Sequence, residues 1–282
     1  MIIKSLRQIN STTHHFGFLN HNPEKKFGFI RISKSGSTSF TASEQLGLKE
    51  HYKIQDYKHS VYAAIRDPHS RFLSSIPETL ARIKCCSERM KYPNRMNLEI
   101  SNDIVDLIEN STNHGPKEIF NLFYELIITF GFFDAHHEPQ CHFFTDLNLM
   151  SLNNINLFKL TNAQEAAQEI YSKHIGSEKF FLPIKNSGSK SETSRESFFK
   201  RLKQRKREIE SNISKNPMYA WGIRNKIPME LIRFEFYNSL KKECSSNDFR
   251  NKINVLYKTD YKLIHCMPNN YIFYHIESGT QI

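Results

Sequence analysis

No stretch of this chain approaches the roughly 20 consecutive apolar residues that a membrane span requires. The leading segment, MIIKSLRQINSTTHHFGFLN, has no apolar run long enough for the core of a signal peptide. Cysteine is sparse: Cys85, Cys86, Cys141, Cys244 and Cys266 make five, an odd number without the paired C-x-x-C spacing of a zinc site, and the adjacent Cys85 and Cys86 are poorly placed to bond each other. A reduced compartment suits such a set, so the expectation is a soluble, cytoplasmic protein. The sequence also lacks a clear metal-ligating cluster, an internal repeat and a linker that would split it. One domain over residues 1–282 is the reading for a length that can bury a substantial core.

What is abundant is positive charge. Lys and Arg number 39 against 29 Asp and Glu, a formal net charge of +10, which favours anionic partners without choosing among nucleotide phosphates, nucleic acid, acidic glycans and anionic surfaces. Apolar runs of strand length, 26–32 (KFGFIRI), 61–65 (VYAAI) and 155–160 (INLFKL), alternate with segments of helical spacing. The latter include TSFTASEQLGLKEH, SRFLSSIPETLARIKCC, NDIVDLIENS, PKEIFNLFYELIITF and NAQEAAQEIYSKHIG, with one last helix in FRNKINVLYKTDYKLIHCM. This alternation predicts an α/β fold, a central parallel sheet flanked by helices, with ligands at the carboxyl ends of the strands.

The first strand runs into SKSGSTS. Backbone N–H groups and the hydroxyls of Ser35, Ser37, Thr38 and Ser39 would gather there, with Gly36 permitting close approach and Lys34 adding a point charge. These features suit a phosphate, yet the G-x-x-x-x-G-K-[ST] spacing of the nucleoside-triphosphate loop is absent. The second strand runs into IRDPHSRFLSS, where Arg66 and Ser74 can hold another anionic group, the guanidinium by a two-pronged contact. Taken singly, each segment is also an ordinary strand-to-helix turn. Residues 185–207 hold nine basic against two acidic residues and read as a loop entering a basic helix, either solvated or turned toward an anionic ligand. Trp221 reads as core before it reads as a sugar-stacking surface.

In order and spacing, R-I-x-K-x-G-S-T-S followed by R-D-P-x-x-R-F-x-S resembles the sulfotransferases that use 3'-phosphoadenosine 5'-phosphosulfate (PAPS). DAHHEPQ (134–140) is similar to the D-x-H-x-x-P-Q element of the branch acting on carbohydrate and related hydroxyls. INLFKLTN, LPIKNSGSK and VLYKTDYKLI resemble its later strand, its L-P-x-x-N loop and its closing helix, so the likeness runs from about residue 26 to residue 266. Ser33 stands where the family usually has proline, and His137 where an aromatic residue is common.

The resemblance implies a P-loop-like sulfotransferase fold with PAPS as sulfuryl donor and no metal. Lys34, Ser35, Gly36, Ser37, Thr38 and Ser39 would hold the 5'-phosphate side. Arg66 and Ser74 would hold the 3'-phosphate, and Asn186 and Lys190 would belong to a loop covering the nucleotide. Lys34 would stabilise charge on the bridging oxygen. His136, oriented by Asp134 or Glu138, would take the proton of the acceptor hydroxyl, with His137 in reserve. The acceptor would be a glycan or glycosylated metabolite, ahead of a lipid-linked sugar, a polyketide-like metabolite or a tyrosyl hydroxyl. Two other readings stand beside it. A small-molecule kinase shares the strand, small-residue loop and helix, and a basic nucleic-acid-binding protein shares the charge, though aromatic residues are not interleaved with the basic run as base stacking needs.

Overall fold

The structure is a computed structural model that describes residues 18–48, 50–83, 102–146, 148–183, 213 and 215–282. The chain divides into two compact units interleaved along the sequence. One, the sheet unit, is Asn10–Arg71, Glu138–Lys185 and Ile253–Ile282; the other, the helical unit, is Met1–Ile9, Phe72–His137 and Asn186–Lys252.

Among the described residues all six strands lie in the sheet unit: β1 (Phe18–Asn22), β2 (Phe27–Ile30), β3 (Glu50–Lys53), β4 (Ser60–Ile65), β5 (Ile155–Lys159) and β6 (Tyr274–Ile276), in the order β3-β1-β2-β4-β5-β6. The three strands expected from their apolar runs form the middle. β2 pairs parallel with β4, Gly28 opposite Val61, and β4 pairs parallel with β5, Val61 opposite Ile155. Every residue of β2 and residues 61–65 of β4 are buried, as strands covered on both faces must be.

The expected parallel sheet is therefore the centre of a mixed one: β1, β3 and β6 run antiparallel to their neighbours. For β1 and β2 the reason is a hairpin. The Asn22 carboxamide oxygen accepts the N–H groups of Glu24 and Lys25, at 3.1 and 2.9 Å, and Lys26 takes a φ of 56°. That tight turn returns the chain beside itself, and hairpin-linked strands pair antiparallel.

The single helix expected over TSFTASEQLGLKEH is three pieces. A five-residue helix α1 (Ser37–Thr41) gives way to a 3-10 turn over Glu44–Leu46, and then β3. Gly47 divides them at a φ of 60°, where a Cβ would come within 2.6 Å of the Asn22 side chain that bonds the Leu46 carbonyl. The expected last helix is likewise two, Asn247–Leu256 and Lys258–Cys266, meeting at Tyr257.

Between the sheet and α5 (Ala163–His174) lies an aromatic core. Phe29 stacks on Phe40 at 4.5 Å, Phe158 touches both, and Ala166, Ala167 and Ile170 of α5 pack into the same cluster. At the end of α5, His174 stacks on Phe27 at 4.7 Å and meets the Tyr62 hydroxyl at 2.9 Å. Burial first, and Lys173 second, push the His174 pKa below its ordinary value, against a smaller opposing pull from a hydrogen bond to the Lys25 backbone. A histidine held neutral by folding contributes stability that is complete above the unfolded value of about 6.5 and is lost as pH falls below it. Between about pH 7.5 and pH 5, His174→Phe should therefore lose less melting temperature than the wild type. Equal losses in the two proteins would assign the acid sensitivity to other groups.

The helical unit holds residues 72–83 of α2 (Pro68–Ile83), then α3 (Asn102–Glu109), α4 (Pro116–Phe130), α6 (Pro217–Arg224), α7 (Ile232–Glu243) and most of α8 (Asn247–Leu256). Pro116 opens α4, and the Glu118 carboxylate accepts the Gly115 N–H at 3.0 Å. Asn216 caps α6 through the Met218 N–H and reaches the Leu80 carbonyl at 2.7 Å. Trp221 rests edge-on against Phe236 at 5.2 Å. No helix among the described residues is long and apolar enough to cross a membrane.

Candidate functional site

Parallel neighbours emit their following segments at the same end of a sheet, so the segments after β2 and β4 leave side by side. After β2 the chain reverses sharply. Ser35 donates its N–H to the Ile32 carbonyl at 3.3 Å, and both Lys34 (φ 64°) and Gly36 (φ 73°) are left-handed. The conformation of Gly36 favours glycine, and a Cβ there would push aside the end of the Leu160 side chain. Lys34 carries the ordinary cost of a side chain in this region, which persists only where the surroundings hold it.

Those surroundings are visible. The Gln140 carboxamide oxygen accepts the Ser35 hydroxyl at 2.7 Å and the Arg66 N–H at 2.9 Å, and its nitrogen donates to the Arg66 carbonyl at 2.8 Å. The Arg66 guanidinium donates to the Lys34 carbonyl at 3.1 Å. Arg71, 1% exposed, donates through Nε to the Ser33 carbonyl at 2.8 Å and through Nη1 to the Glu138 carbonyl. Burial pulls the Arg71 pKa down, while Tyr257, Asp260 and Glu138 oppose that pull. Asp260, in the helix α9 (Lys258–Cys266), accepts the N–H groups of Gln140 and Cys141 at 2.8 and 3.0 Å.

This brings Lys34, Ser35 and Arg66 into one hydrogen-bonded cluster, with Gly36, Ser37, Thr38 and Ser39 continuing the same turn. No side chain caps α1, and in its first turn the Ser39 N–H donates to the Gly36 carbonyl at 3.0 Å. At five residues α1 carries little macrodipole, so an anion would rest on the backbone of the turn, the hydroxyls and Lys34.

In the helical unit, Asp134 is 2% exposed and its two oxygens have separate duties. Oδ2 accepts the Thr79 hydroxyl at 2.7 Å; Oδ1 accepts the His136 N–H at 2.9 Å and faces His136 Nδ1 at 2.8 Å. An ionised carboxylate only accepts, so His136 Nδ1 is the donor to Asp134, from a side chain 14% exposed. His137 is different. It is wholly buried, its Nε2 accepts the Asp134 N–H at 3.1 Å, and its ring packs edge-on to Phe133 at 4.5 Å. The geometry therefore gives Asp134 to His136, while Glu138 pairs with His142 at 3.2 Å.

Ser74 is half-buried on α2 in the helical unit. Asn186 and Lys190 lie outside the described residues, as do Cys85, Cys86 and the basic run 200–207. Sequence reasoning left four residues without a role: Gln140, Asp260, Arg71 and Thr79. Gln140 and Arg71 stand inside the quoted motifs, which was a usable signal. Among the described residues no group of three or more His, Cys, Asp or Glu is placed to hold a metal ion. No family model, no curated protein and no solved structure matches the chain.

Proposed function

We propose that this protein is a sulfotransferase that moves a sulfuryl group from PAPS to an acceptor hydroxyl, with a carbohydrate as the preferred acceptor class and a P-loop-like sulfotransferase core as its fold. The observation that carries the reading is the junction of two loops from neighbouring parallel strands, where Arg66 bonds the Lys34 carbonyl and one carboxamide bridges Ser35 and Arg66. A ligand with phosphates at two positions needs two such anion-holding loops in a set relation. The donor set fits: an ammonium, a guanidinium, three hydroxyls after Gly36 and the backbone of a tight turn.

Bound PAPS supplies the sulfuryl group. Lys34 and the turn 35–39 hold the 5'-phosphate side, and Lys34 offsets the negative charge that grows on the bridging oxygen. Arg66 holds the 3'-phosphate, the role that the sequence resemblance shares with Ser74. His136 Nε2 takes the acceptor's proton, and Asp134 stabilises the imidazolium that results. Thr79 keeps the carboxylate turned to its histidine. Acceleration in such a loose displacement comes from positioning and electrostatics.

The test is incubation with sulfur-labelled PAPS and a panel of hydroxyl acceptors, glycans first and tyrosyl peptides last. Label should pass to at least one acceptor and yield adenosine 3',5'-bisphosphate in equal amount. Phosphorylation of the panel from ATP with magnesium, and no transfer of label, would replace this reading with the kinase one.

A further inference from the structure

Gln140 is wholly buried and its side chain makes three short contacts to two other segments. Its oxygen must accept from the Ser35 hydroxyl and the Arg66 N–H at once, while its nitrogen must donate to the Arg66 carbonyl. Only a group with a two-lone-pair acceptor and a donor on one planar fork does all three. Its own backbone is held in turn. Asp260, 0% exposed, accepts the N–H of Gln140 and of Cys141, and lies 3.4 Å from the Gln140 Nε2. Asp260 is 120 positions along the chain from Gln140, and Gln140 is 105 from Ser35 and 74 from Arg66. One buried carboxamide thus couples the segments after β2 and β4 to a helix near the end of the chain.

We propose that Gln140, held by Asp260, is a positioning residue that sets the turn 33–39 and the Arg66 segment in register for a ligand bridging them. It touches no ligand itself and acts through Ser35 and Arg66. Only the ligand part of this inference rests on the sulfotransferase reading; the coupling of the two loops does not.

Two variants test it, each compared with wild type at every pH. Gln140→Leu keeps approximate volume and removes all three contacts. Gln140→Glu keeps the acceptor and, when protonated, regains a donor. The introduced carboxyl faces Asp260, which with burial raises its pKa, and Asp260 in turn interacts with Arg71 and the Tyr257 hydroxyl, beside Glu138 and Arg66. Hydrogen exchange over 33–39 and 65–67 is measured with no ligand present, and binding of adenosine 3',5'-bisphosphate is measured separately.

In Gln140→Leu both segments should exchange about tenfold or more faster than wild type at all pH values, with strand β5 unaffected, and bisphosphate affinity should fall about tenfold. In Gln140→Glu the same losses should appear at about pH 8 and shrink toward wild type as the introduced carboxyl protonates on acidification. Wild-type exchange in Gln140→Leu, or a Gln140→Glu defect equal at all pH values, would overturn the positioning role. Accelerated exchange in a protein whose wild type binds no bisphosphate would keep the coupling and remove the nucleotide. Normal bisphosphate affinity in Gln140→Leu would remove the positioning role and keep the nucleotide.

Discussion

Lys34→Ala is expected to lower sulfuryl transfer by about two to three orders of magnitude, the loss typical when one preorganised donor to a developing charge is removed. The backbone needs its own control. Lys34 sits at a φ of 64°, and alanine bears a similar strain there, so the fold should survive with little change. Lys34→Gly removes the same ammonium and relieves the strain. It should be at least as stable as wild type and as inactive as Lys34→Ala. A Lys34→Gly enzyme with near-normal turnover would show that the position serves the turn and not the chemistry.

His136→Ala should cost about two to four orders of magnitude in turnover while leaving nucleotide affinity nearly unchanged, because a base acts on the acceptor. Asp134→Asn should follow in the same direction. The amide cannot stabilise the imidazolium, and its nitrogen can turn toward His136 and reverse which ring nitrogen carries the proton. His137→Ala reads differently: its ring fills a buried space beside Phe133 and Phe123, so its removal should appear first as a lower melting temperature. Comparing turnover at matched folded fractions separates the two histidines. A larger loss of turnover at His137 would transfer the role.

The middle of the sheet was legible because FGFI and VYAAI are continuous apolar runs, which a strand buried on both faces demands, and INLFKL is largely apolar. The helix over 116–130 was equally plain, since Pro116 opens it and Gly131 closes it. The outer strands gave no such signal. FLNHN and EHYK are short, half polar and sit toward a sheet edge, where pairing with a neighbour decides the conformation. The helix expected over TSFTASEQLGLKEH ends at Thr41, and the 3-10 turn after it stops at the left-handed Gly47, where Asn22 of another strand leaves no room for a Cβ.

At the candidate site, Lys34, Arg66 and His136 could be singled out because charged or titratable residues in small-residue turns stand out in a sequence. The residues that hold them could not. A buried Gln140 acting on Ser35 and Arg66, and Asp260 acting on Gln140, are contacts across 74 to 120 positions that no local pattern encodes.

The most direct measurement is thermal stabilisation by three nucleotides, since it needs no acceptor. Adenosine 3',5'-bisphosphate should bind about 10- to 100-fold more tightly than adenosine 5'-monophosphate, the worth of one charge-assisted phosphate contact of about 1.5 to 3 kcal/mol. At 100 times its dissociation constant it should stabilise the fold by about 2.7 kcal/mol, a shift of a few degrees for a chain of this size. Arg66→Ala should erase the preference for the 3'-phosphate and leave weak monophosphate binding. That order of nucleotides and its loss in Arg66→Ala are the expected result; equal or greater stabilisation by ATP with magnesium, or no response to the bisphosphate, would contradict the sulfotransferase reading.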